Sequence, residues 1–159
     1  MGQQQLLLLV LSTVIVGLAT VAGIQAFDEG QSQATQDALT QRGLTIGTDI
    51  TAALNQPSQL GGVSLSSDKE QIAAAAGLTA NDGSSEDTEA GTGIPAPGAG
   101  NNADCDITGT GGPITIVCAE SGSGSNNNSG SNLGQTVTVE ADMEGSDVTK
   151  INGTDVGSI

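Results

Sequence analysis

The chain has 159 residues, with 18 acidic side chains against three basic ones and a formal net charge of -15. It contains no histidine, so neither a Ser-His-Asp triad, nor a Cys-His pair, nor a histidine metal site can be built from it. Its cations, Arg42, Lys69 and Lys150, are scattered, which excludes the clustered Lys and Arg that nucleic acid requires, and no aromatic follows Phe27 to stack a sugar beside the carboxylates. These residue types point to a protein that is not an enzyme, takes no cofactor and does not bind nucleic acid.

Residues 1–5, MGQQQ, form a short polar start, and residues 6–27 are then free of charge and almost wholly apolar. As a helix, residues 6–27 would extend about 33 Å at about 1.5 Å per residue, enough to cross a hydrocarbon core of about 30 Å. The expectation is a single membrane helix in contact with lipid, anchoring an exported head in the inner membrane. A secretory signal peptide would show a basic start, an apolar stretch of about 7 to 15 residues and an A-x-A-like cleavage site. Here the start has no basic residue, the stretch is longer, and Thr20-Val21-Ala22 is the best available triplet. An uncleaved anchor is the plain alternative. Ser12, Thr13 and Thr20 can return their hydroxyls to carbonyls one turn back, which makes them tolerable in lipid. Thr13 with Gly17, and Ala19 with Gly23, form two small-xxx-small pairs through which neighbouring helices could pack, although small residues are equally ordinary in a solitary anchor.

The opening MGQQQLLLLVL, with the later VGLATVAGIQAF, resembles the type IV pilin superfamily, and in particular bacterial pilin-like proteins and pseudopilins with a minimal leader. The resemblance implies cleavage after Gly2, leaving Gln3 as the first mature residue. Most members begin the mature chain with an aromatic residue and carry a glutamate at its fifth position; here those positions are Gln3 and Leu7. The resemblance also implies a subunit that associates with copies of itself and with pilus or secretion assembly machinery, forming an extracellular filament if assembled.

Residues 28–56 read as an amphipathic continuation of the helix, because Leu39, Ile46, Ile50 and Leu54 recur at steps of seven, four and four. Gly43 and Gly47 each weaken a helix by about 1 kcal/mol relative to alanine, so a bend or partial melting is expected there. Pro57 and Gly61-Gly62 end the pattern. Residues 57–102 read as loop-rich, with a short helix near 68–76: Ser67 is placed to cap it, Glu70 stands three residues later, and Gly77 stops it. The following stretch is glycine, proline and acid. Its Asp82, Glu86, Asp87 and Glu89 offer oxygen ligands for Ca²⁺, but placing Gly83 at the turn of an EF-hand puts Leu78 and Ala80 at ligand positions. A solvated acidic loop is the simpler reading.

Residues 103–159 read as a small β-rich head. Residues 113–118 and 135–140 are rich in β-branched side chains, 148–151 add a third strand, and the Ser, Gly and Asn of 121–132 form a flexible connection spanning about 20 Å. Cys105 and Cys118, thirteen positions apart around a GTGGP turn, suit a disulfide that closes a hairpin-like loop; two free buried thiols are the alternative. The sequons at Asn127 and Asn152 are also ordinary loop composition. The fold class expected is α+β: a long N-terminal helix with a small antiparallel sheet of three or four strands. Acid excess with lysine poverty matches proteins adapted to high salt, and such a surface needs salt or divalent ions before copies can pack together. The functional expectation is a structural, pilin-like subunit; the alternative is an exported surface or adhesion protein, anchored or released, that does not polymerise.

Overall fold

The computed structural model describes residues 2–78, 93–100, 103–109, 111–120, 135–151 and 154–156. The protein is α+β, and its contacts divide it into two compact units, Met1–Ala34 and Thr35–Ile159. Helix α1, Gly2–Leu54, contributes to both.

In the first unit the described residues are all helical. The large apolar side chains from Leu6 to Phe27 are between 50 % and 74 % exposed, so no part of this surface is used by the unit itself. The three hydroxyls in the apolar run donate to backbone carbonyls three residues earlier: Ser12 to Leu9 at 2.9 Å, Thr13 to Val10 at 2.9 Å and Thr20 to Gly17 at 2.8 Å. They leave no hydroxyl proton for a solvent that cannot accept one.

In the second unit the C-terminal part of α1 lies on one face of a six-stranded antiparallel sheet, with strands in chain order. The strands are β1 (Ile94–Pro95), β2 (Asp104–Gly109), β3 (Ile114–Ala119), β4 (Thr136–Ala141), β5 (Ser146–Ile151) and β6 (Thr154–Asp155). β4 shows why the chain pleats here. Its Val137, Val139 and Ala141 are buried while the alternating Thr136, Thr138 and Glu140 are half-buried, the two-residue period of a sheet covered on one side. In the cross-strand registers Ile107, Ile116, Val139 and Val148 fall in one row, and Cys105, Cys118, Val137 and Ile151 in another.

Leu39, Ile46 and Ile50 of α1 are fully buried and Leu54 is 5 % exposed, so the four-residue stripe packs into this core. The helix does not melt at Gly43 and Gly47: both are helical and buried. The reason is close approach. A Cβ at Gly43 would lie 2.8 Å from Val139 Cγ2 and 3.4 Å from Cys118 Sγ, and one at Gly47 would lie 2.6 Å from Ser146 Cβ. Both glycines let backbone pack directly on the sheet, and the burial this permits outweighs their poor helix propensity. Polar contacts fix the same interface at its margins: Arg42 Nε donates to the Pro95 carbonyl at 2.9 Å, and Asn55 Nδ2 to the Met143 carbonyl at 3.2 Å.

Between helix and sheet the chain makes a 3₁₀ turn, Ser58–Leu60, and helix α2, Lys69–Ala75. Ser67 does not cap α2. Asp68 occupies that position without a side-chain bond, and the Ser67 hydroxyl accepts the Ser64 amide at 3.1 Å within a tight turn. The stop at Gly77 has the geometry of a left-handed cap: φ is +70°, Gly77 N donates to Ala74 O at 3.1 Å, and Leu78 N donates to Ala73 O at 2.9 Å. Leu78 then folds into the core with Ile72 and Ala73. The sheet has more strands than the three or four expected: β2 carries two aspartates that disguise it, and β1 and β6 are two residues each.

Candidate functional site

Two surfaces and one covalent link hold the residues singled out in the sequence. Gly2 and Gln3 open α1, and Gln3 lines an open apolar strip with Leu6, Leu7, Val10, Leu11 and Val14. That spacing of three and four is the geometry of a single helix face. Thr13, Gly17, Ala19 and Gly23 are all exposed, and nothing lies within 4 Å of a Cβ built on Gly17 or Gly23. Thr13 and Gly17 share a face, as do Ala19 and Gly23, but the six-residue offset between the pairs turns the second about 240° from the first. The helix therefore presents two small-residue faces rather than one continuous groove.

By length and composition α1 can cross a membrane. A signal sequence and the core helix of a soluble protein pass the same test. A core helix is mostly buried, however, whereas none of the most apolar window here is buried.

Cys105 and Cys118 form a disulfide. They are directly opposed in the β2–β3 pair, both are fully buried, and Cys118 Sγ lies beneath Gly43. The sheet register brings the sulfurs together, and the absence of a side chain at Gly43 leaves room for them under the helix.

A third feature is assembled by the fold. The β4–β5 hairpin gathers Glu140, Asp142, Glu144 and Asp147 around one shallow depression. Asp142 is committed to the turn: its Oδ1 accepts the amides of Glu144 at 2.8 Å and Gly145 at 3.0 Å. The four residues DMEG, with Asp first and Gly fourth, are the sequence signal for this turn, which the strand pattern alone overlooked. Among the described residues no group of three or more His, Cys, Asp or Glu is arranged to hold a metal ion. The acidic residues Asp82, Glu86, Asp87 and Glu89, residues 121–132 and the two sequon asparagines lie outside the described residues.

The chain matches no family model, no curated protein and no solved structure. Its own surfaces have to supply the functional reading.

Proposed function

We propose that this protein is a structural, non-enzymatic subunit of pilin-like type, held in a membrane by the apolar part of α1 and assembled with copies of itself through that same part. The observation that carries the reading is the division of labour within one helix. Residues 35–54 spend their apolar stripe on the head's core, while residues 6–27 leave theirs wholly open. A continuous apolar surface of that length needs either lipid or other helices around it. The internally bonded hydroxyls suit both environments, and two separate small-residue faces suit contact with more than one neighbour. A disulfide in the head suits an oxidising compartment outside the cytoplasm.

Single cysteines introduced in the helix test this cleanly, because both native cysteines are already paired. In cells producing the full chain, Gly17→Cys and Gly23→Cys should each give cross-linked dimers on mild oxidation. Gly30→Cys, beyond the apolar run, should give few. Sheared material should sediment as polymer whose first residue is Gln3. Efficient membrane association with no cross-linking at either position, and a monomer after shearing, would instead establish the anchored protein that does not polymerise.

A further inference from the structure

Gln3 would become the chain's first residue on cleavage after Gly2, and glutamine has a reaction available at that position alone. Its amide carbon is placed so that joining it to the residue's own α-nitrogen closes a five-membered ring. We propose that the mature N-terminus is a lactam rather than an amine, Gln3 cyclising to a pyroglutamyl residue once it is exposed; the proposal rests on the processing reading above. The α-amine nitrogen attacks Cδ of the same residue. The N–Cδ bond forms, the Cδ–Nε2 bond breaks, and Nε2 leaves as ammonia with the proton given up by the amine. Nothing is oxidised or reduced, and no co-reactant is consumed.

The surroundings of Gln3 favour the neutral product. Its side chain is exposed in the first turn of α1, so Cδ is accessible. An ammonium there would sit at the positive end of the helix dipole. It would also share its strip with Leu6, Leu7 and Val10, and no acidic residue stands between it and Asp28 in the sequence. The first acid after Gln3 is Asp28, which at about 1.5 Å per residue lies about 38 Å along the helix. Whether lipid or another helix covers the strip, an unpaired positive charge is disfavoured there. Cyclisation removes the charge, as blocking an amino terminus does. Gln4 and Gln5 cannot substitute, because their nitrogens are already in peptide bonds.

The test uses the full chain isolated from its own cells. An amine-reactive label is applied to intact membranes before digestion, and the N-terminal peptide is then sequenced by mass spectrometry. The wild-type peptide should begin at residue 3, be lighter than the linear sequence by one ammonia and carry no label. Pyroglutamyl peptidase should then remove that residue and expose Gln4. The Gln3→Asn variant, in which closure would require a strained four-membered ring, should begin at residue 3 and carry the label. A wild-type peptide that begins at Gln3 and is labelled overturns the cyclisation while leaving the processing reading intact. A peptide that begins at Met1 or near Gly23 overturns both.

Discussion

Gly47→Ala is the sharpest probe of how the helix meets the sheet. The added methyl would lie 2.6 Å from Ser146 Cβ, 3.1 Å from its Oγ and 3.3 Å from Val139 Cγ1. Ser146 Cβ is fixed to the backbone of β5, so rotation of the side chain cannot relieve the first contact. The helix must move off the sheet, loosening Ile46 and Ile50 on either side. Overpacking of this kind typically costs about 1–3 kcal/mol, while replacing glycine by alanine in a helix returns about 1 kcal/mol. The expected net effect is a loss of up to about 2 kcal/mol, with a corresponding fall in the melting temperature. Gly30→Ala is the control, since nothing lies within 4 Å of the added carbon and only helix propensity changes. Urea denaturation of the full chain in detergent should place Gly47→Ala below wild type and Gly30→Ala at or above it. Ser146→Gly should recover most of the loss when combined with Gly47→Ala, a coupling expected only of residues in contact. Equal stability of the two alanine variants, or additivity in the double mutant, would refute the close-approach argument.

Three further features of the head can be tested in the same way: the disulfide, the β4–β5 turn and the cap at Gly77. Because both sulfurs are fully buried, Cys105 and Cys118 should resist reduction by dithiothreitol until urea unfolds the head, as measured by thiol labelling. Replacing both by alanine should cost on the order of 3 kcal/mol for a loop of this length. Asp142→Ala removes the acceptor for two turn amides and should cost about 1–2 kcal/mol, with faster hydrogen exchange at Glu144 and Gly145. Gly77→Ala places a side chain at φ +70° and should cost about 1–2 kcal/mol, read as a shift in the urea midpoint.

The parts of the fold legible in the sequence are those where a period is written in apolar residues. Leu39, Ile46, Ile50 and Leu54 mark the buried face of α1, and the alternation in residues 136–141 marks β4. β2 was harder to see because Asp104 and Asp106 interrupt Cys105 and Ile107, and carboxylates are poor signals for a strand. Both aspartates are nonetheless buried, at 4 % and 7 % exposure. Gly43 and Gly47 misled in the opposite direction: propensity treats a glycine as a weak point, whereas here the missing side chain makes the contact possible. Ser67 has the spacing of a cap, but Asp68 occupies the cap position and the Ser67 hydroxyl accepts the Ser64 amide instead. On the candidate site, the disulfide was readable from two cysteines flanking a turn. The acidic depression was not, because hairpin pairing rather than sequence proximity brings Glu140 to Asp147.

That pairing sets a condition on stability and on assembly. Glu140 and Asp147 are direct cross-strand partners in the β4–β5 register, with Asp142 and Glu144 on the adjoining turn. Like charges placed directly opposite destabilise a sheet by roughly 0.2–1 kcal/mol, and a chain of net charge -15 adds repulsion between any two heads brought side by side. The screening length falls from about 10 Å at 0.1 M salt to about 3 Å at 1 M, so both penalties should shrink over that range. The head's urea midpoint should therefore rise with NaCl, and cross-linking through Gly17→Cys should rise with it. Asp147→Lys replaces a repulsive cross-strand pair with an attractive one. It should raise stability at low salt by roughly 0.4–2 kcal/mol, read as a higher urea midpoint, and flatten the salt dependence, while Asp49→Lys, a charge change on the exposed side of α1, should leave the cross-strand term in place. If Asp49→Lys gives the same flattening as Asp147→Lys, overall charge rather than the opposed pair governs the head. If neither variant changes the response to salt, electrostatic repulsion does not limit this fold.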